Sequence, residues 1–193
     1  MTRRRLVIGT TAVLALALIG WAVSREPPEL ASTASGPAAS TTQPPPPPEG
    51  VPLINVTLFY GSADGETLVP VQREIALAEG LMAQGREILL AQLQPAPSPH
   101  LPVIPEGTAL LAFYVTDRGD AFVDLSAEVS SNHQGGSSAE LLTVYAVVNA
   151  VTANLPTVGR VQILINGQEA DTLAGHVDLR NPLGRDQTIV SPS

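Results

Sequence analysis

The sequence predicts an α+β fold, with antiparallel strands in hairpins packed against two helices, placed after an N-terminal transmembrane helix and a disordered Pro-rich linker. Three observations carry this. An uncharged apolar run spans Leu6 to Val23 behind Arg3, Arg4 and Arg5. From Leu53 onward, short β-branched and aromatic runs alternate with glycine, aspartate and asparagine turns. Between those runs, residues 76–94 and 138–153 place apolar side chains at helical spacing. Strands in hairpins with two long helices among them specify mixed layers rather than a bundle or a barrel.

The first element is the apolar run. At about 1.5 Å per residue its 18 residues reach about 27 Å, close to the hydrocarbon thickness of a bilayer. The three arginines before it, and Trp21 near its end, orient residues 1–23 as a signal-anchor with a cytoplasmic N-terminus. A cleavable signal peptide is the alternative, but its apolar region is typically about 7–15 residues long, and Pro27-Pro28 precedes any small-residue cleavage site. Residues 24–52 hold nine of the eighteen prolines, five of them consecutive from Pro44 to Pro48, and read as an extended spacer. The remainder, residues 24–193, is then extracytoplasmic.

The folded part opens with Leu53–Tyr60, a strand ended by Gly61. A turn containing Asp64-Gly65 leads to a second strand over 66–75, whose Pro70 assigns it to an edge or a bulge. Residues 76–94 read as a helix burying Leu77, Leu81, Ile88, Leu89 and Leu93, weakened by Gly80 and Gly85 and stopped by Pro95, Pro97 and Pro99. After a proline-rich loop, 110–116 and 120–125 flank Asp117-Arg118-Gly119 as a hairpin. Its second strand alternates Ala121, Val123 and Leu125 with Asp120, Phe122 and Asp124, giving one apolar and one polar, solvent-facing side. Ser137-Ser138-Ala139-Glu140 matches a capping box. The helix it opens carries Leu141, Val144, Tyr145, Val148 and Val151. Residues 158–165 and 168–173 form a last hairpin around Asn166-Gly167.

Composition excludes several functions. The chain has no cysteine, hence no disulfide, thiolate nucleophile or lipid-anchoring cysteine. It has no lysine, hence no Schiff base or phosphate-loop lysine. From Leu53 onward six arginines face fifteen carboxylates, and aromatics make up 4% of the whole chain, the opposite of a nucleic-acid footprint.

The order of several phrases resembles the GerMN domain, a family named from spore-germination proteins. They are Val56-Thr57-Leu58-Phe59-Tyr60, Leu68-Val69-Pro70-Val71, Ile104-Pro105-Glu106-Gly107-Thr108, Ala121-Phe122-Val123-Asp124-Leu125-Ser126, Val148-Asn149-Ala150-Val151-Thr152, Val161-Gln162-Ile163-Leu164-Ile165-Asn166-Gly167, Gly175-His176-Val177-Asp178-Leu179 and Pro182-Leu183. The resemblance implies one exported, membrane-tethered α+β domain over residues 53–190, similar in outline to ring-building modules of trans-envelope complexes, and brings no catalytic residues with it.

The residues themselves assemble no catalytic or metal constellation, and no cofactor is expected. Asp120 and Asp124 lie about 13 Å apart along a strand, beyond the roughly 5–9.5 Å of glycosidase carboxylate pairs. His100, His133 and His176 lack ligand spacing. Ser126 and Ser137 are generic nucleophiles without a base beside them, and the Gly135-Gly136 loop before a helix is explained by Ser137 as the cap rather than by a bound anion. Four residues remain as binding candidates: Phe122 and Asp124 on the polar side of their strand, and His176 with Asp178, which an extended segment points the same way. The expected function is non-enzymatic assembly or interaction in a cell-envelope complex. The expected partners are envelope proteins or a second copy of the chain, with a peptidoglycan-binding domain, and behind it a wall hydrolase, as alternatives.

Overall fold

The computed structural model describes residues 50–192. The signal-anchor expected over 1–23, and all of the linker but its last three residues, lie outside the described residues. Among the described residues no helix is long and apolar enough to cross a membrane.

Strands β1 (Leu53–Gly61) and β2 (Leu68–Ala76) form a two-stranded antiparallel sheet, in register from Leu53↔Ala76 to Gly61↔Leu68. Pro70 lies opposite Phe59 with its missing N–H on the outer edge, as a strand proline must. The ladder continues one step further, Leu77 donating its N–H to Pro52 O at 2.7 Å. That pairing displaces the expected start of the first helix. Helix α1 runs only from Leu81 to Gln92, entered through Gly80 at φ 85°, a backbone angle that glycine adopts without strain. Leu77, expected on the core face, is consequently exposed. Gly85 is not a defect either. A Cβ there would lie 2.1 Å from Cε1 of Phe113, so its absence lets that ring rest on the helix backbone.

The second sheet has the order β3-β4-β5-β6, with β7 also on β5. Its members are β3 (Leu110–Val115), β4 (Asp120–Leu125), β5 (Arg160–Ile165), β6 (Gln168–Glu169) and β7 (Leu183–Gly184). Hairpins β3–β4 and β5–β6 form as the turn residues dictate, Asn166 and Gly167 both at positive φ (50° and 74°). β6, however, stops at Glu169 rather than reaching 173. The sheet is also not purely antiparallel: β4 and β5 run parallel, Asp120↔Arg160 through Leu125↔Ile165. A parallel pair needs a crossover of a dozen residues or more. This one holds the short helix α2 (Glu128–Ser131) and the long helix α3 (Ser137–Asn154).

α3 is the centre of the domain. It packs against β1, α1, β5 and β7. Its residues Leu142–Val144 and Ala146–Val151 are buried on all sides, as for a helix held between two layers. The apolar side of β4 (Ala121, Val123, Leu125) joins Val161 and Ile163 in the same core. Each fully buried Val, Leu or Ile stabilises the fold by about 1.5–3 kcal/mol.

Candidate functional site

The polar residues of this core show what holds the layers in register. Gln92 of α1 and Asn154 of α3 reach the edge of β1 that β2 leaves free. Gln92 accepts from Phe59 N (2.9 Å) and donates to Phe59 O (2.7 Å). Asn154 does the same for Thr57, both at 2.8 Å. Each side-chain amide thereby replaces one rung of a missing strand and seals the edge. Asn149 likewise donates to Asp186 O (2.7 Å) and accepts from Asp186 N (3.1 Å), pinning the C-terminal segment to α3.

Glu140 departs most from expectation. Ser137 does not cap α3; the N-cap is Gly136 at φ 91°, without a side-chain hydrogen bond. Glu140 is fully buried instead, and its carboxylate collects the loop 173–177. Oε1 accepts from Leu173 N (2.9 Å) and Val177 N (3.2 Å), and Oε2 from His176 N (2.9 Å). Burial pushes the carboxyl pKa up, but the backbone N–H groups of this loop outweigh that and hold it below its ordinary 4.5.

Each residue singled out in the sequence can now be placed. His176 sets its ring Nδ1 3.1 Å from Oε2 of Glu140, and because a carboxylate only accepts, Nδ1 carries the proton. Asp178 does not join it. Its carboxylate takes Arg180 Nε (2.9 Å) and Nη2 (2.6 Å), and this fork holds it down at about 2. The pair expected to face one way therefore serves two different partners, although both residues border a shallow recess of about 180 Å³ with Asp171, Thr172 and Arg180. Asp124, expected on a solvent-facing side, is 9% exposed and accepts from Gly167 N at 2.7 Å, fixing the β5–β6 turn. Phe122 is half-buried beside Gln162, itself buried and donating to Leu179 O. The chain after β6 thus covers part of that side. Asp120 is forked by Arg160 (2.9 and 3.2 Å).

A larger groove of about 1160 Å³ lies between the proline-rich loop 101–108, the end of α1 and the start of α3. His133 at its wall accepts from Gly135 N (3.0 Å) on Nδ1 and bonds Thr143 Oγ1 (3.1 Å) through Nε2, and Thr143 Oγ1 in turn donates to Val103 O, tying the entry of α3 to the loop. Tyr60 also borders the groove, and its buried hydroxyl makes no hydrogen bond among the described residues. Burial raises its pKa, with the charge of Arg73 opposing. Among the described residues, no three of His, Cys, Asp and Glu are placed to hold a metal ion.

Residues 57–171 match the family model Germane, described as sporulation and spore germination. The chain belongs to this family. Three solved structures share its fold. The first is a Clostridium perfringens chain described as a candidate lipoprotein, 23% identical over 74% of this chain and 93% of that one, with a TM-score of 0.50. The second is the tandem GerMN domains of the sporulation protein GerM from Bacillus subtilis, 16% identical over 69% and 46%, TM-score 0.54. The third is the first GerMN domain of GerM alone, 16% identical over 70% and 98%, TM-score 0.50. No curated protein matches. The chain spans about half of the tandem but nearly all of the single domain, so it carries one GerMN unit.

Sequence reasoning missed Gln92, Asn154 and Arg180, and it read Glu140 as a cap. One signal for Glu140 was available: it shares a helical face with Val144, Val148 and Val151, an apolar stripe on which a carboxylate has to find buried donors.

Proposed function

We propose that this GerMN domain is a non-enzymatic assembly module, tethered to the outer side of the cytoplasmic membrane and working within a cell-envelope complex of the sporulation and germination class. The observation that carries the reading is the employment of its buried and half-buried polar side chains. Gln92, Asn149, Asn154, Asp124 and Glu140 each end on the backbone of a neighbouring segment. A core whose polar side chains are largely committed to its own backbone, leaving the outer surface for contacts, suits a scaffold. The family supplies the process. The tether is the apolar run Leu6–Val23; without a cysteine the chain cannot be lipidated as a lipoprotein is, so a peptide anchor takes that role.

A peptidoglycan-binding domain is the second reading, favoured by the groove over loop 101–108. The full-length protein, used as bait in detergent-solubilised envelopes and in parallel on purified sacculi, separates the two. Specific recovery of envelope proteins or of a second copy, with no retention on sacculi, is the expected result. Retention on sacculi without protein partners overturns it, and release of soluble wall fragments would establish a hydrolase instead.

A further inference from the structure

The groove over loop 101–108 is preformed. Leu101 exchanges both backbone hydrogen bonds with Gly61 at the end of β1 (2.8 and 2.9 Å). Val103 O accepts from Thr143 of α3, Glu106 O from the Asn132 amide (3.0 Å) and Pro105 O from the Thr108 hydroxyl (2.7 Å). A wall fixed in this way loses little freedom when something binds to it. Its volume of about 1160 Å³ exceeds the roughly 300–1,000 Å³ of small-molecule pockets, and so suits a length of chain.

Two independent features describe what fits there. The first is an unused donor. Tyr60 lines the groove and is 2% exposed, yet its buried hydroxyl has no hydrogen-bond partner among the described residues. Such a group lowers stability until something bonds to it. The second is charge. Leu93, Leu101, Val103, Ile104 and Leu142 form an apolar wall, and Glu106 is the only Asp, Glu or Arg in the lining. Gly65, another lining residue, lies between Asp64 and Glu66 in the β1–β2 turn. Gly107 has the Glu128 side chain against it, Cγ 3.6 Å from where a Cβ would stand. Arg73 lies 6.0 Å from the centre of the Tyr60 ring and donates to Ala91 O, but does not line the groove. Anionic ligands are therefore disfavoured. Sugar rings find no aromatic face to stack on, because Tyr60 is the only Phe, Tyr or Trp in the lining and its ring is covered.

We propose that this groove is the docking site for a basic, otherwise apolar peptide segment of an envelope protein. The segment's apolar side chains lie against Leu101, Val103 and Ile104. Its arginine or lysine side chains face Glu106 and the acidic β1–β2 turn, and one of its backbone carbonyls accepts from the Tyr60 hydroxyl. The inference deepens the assembly reading above and rests on it. Fifteen carboxylates against six arginines from Leu53 onward steer the same class of partner toward the domain.

The test uses the full-length protein in detergent and two acetylated, amidated decapeptides, each with a photoreactive benzoylphenylalanine at its centre. One alternates leucine with arginine, the other leucine with glutamate. After illumination the labelled residues are mapped by mass spectrometry. The arginine peptide is expected to label 101–108 and 138–143, with the glutamate peptide at least about tenfold weaker. Tyr60→Phe keeps the ring and removes the orphan hydroxyl, so labelling falls about fivefold while stability to urea is unchanged or higher. Ala139→Arg, at an exposed position of the wall, abolishes labelling with an unchanged circular dichroism spectrum. Glu106→Gln weakens labelling, whereas Glu74→Gln on the outer edge of β2 does not. Equal labelling by the two peptides, labels outside the groove, or no effect of Tyr60→Phe overturns the proposal. So does retention of the protein on sacculi that Ala139→Arg abolishes, which would make the groove a wall site. If the bait still recovers envelope proteins in those cases, the assembly reading stands with a different surface.

Discussion

Replacing Glu140 by glutamine tests whether one buried carboxylate organises the loop 173–177. The substitution keeps the shape, so no cavity forms. One carboxylate oxygen becomes an amide that can only donate, and one of the three backbone N–H groups at 2.9–3.2 Å then faces another donor. An unsatisfied buried donor costs about 1–3 kcal/mol. The remaining amides lose their charge-assisted acceptor, which costs about 1 kcal/mol each. Relief of the charge's desolvation offsets part of this, so the net loss is about 2–4 kcal/mol, or roughly 10 °C in Tm for a domain of this size. The sign with pH follows from the depressed pKa. Glu140 contributes its full stability above the unfolded value near 4.5 and loses it as pH falls through the lower folded value. Thermal or urea denaturation of wild type and Glu140→Gln at pH 7 and pH 3 should therefore show a large gap that shrinks in acid. His176→Ala, which removes a ring 44% exposed, should lose less than about 1 kcal/mol. A Glu140→Gln loss under about 1 kcal/mol at pH 7, or a gap independent of pH, would refute the reasoning.

Other expectations follow from packing. Gly85→Ala should destabilise by about 1–3 kcal/mol in urea denaturation despite alanine's higher helix propensity, because its Cβ meets the Phe113 ring at 2.1 Å, and Phe113→Leu in the same chain should recover part of the loss. Asn154→Leu strands the N–H and C=O of Thr57 and should cost about 2–4 kcal/mol, with faster amide exchange at Thr57 as the specific signature. Asp178→Asn breaks an exposed, solvent-screened fork with Arg180 two residues away and should lower Tm only slightly in thermal denaturation at pH 7.

The candidate site divides along the same line as the fold. Phe122 and Asp124 were legible as members of one side of their strand, and His176 and Asp178 as alternate residues of an extended segment, but Asp124 proved buried rather than solvent-facing. Their partners were not legible, since Asp124 meets Gly167 across 43 residues and His176 meets Glu140 across 36. Glu140 itself was misread because Ser137-x-x-Glu140 satisfies a local rule, while the three amides that claim its carboxylate arrive only when the chain returns past the last hairpin.

What the sequence by itself determined is local. Asn166-Gly167 and Gly119 at positive φ set their turns, the β-branched runs became strands, and the apolar period of 137–154 became α3, because each needs only neighbours within a few residues. The tertiary structure decided the rest. β2 took Ala76 from the expected helix because Leu53 was there to pair with it. β4 and β5 came together parallel because α3 needed both layers to cover its apolar surface, and the buried amides and carboxylate found acceptors and donors only once those layers had closed. A buried polar group must be satisfied by whatever the fold brings beside it, and that neighbour is fixed by topology rather than by the residues adjoining it in the chain.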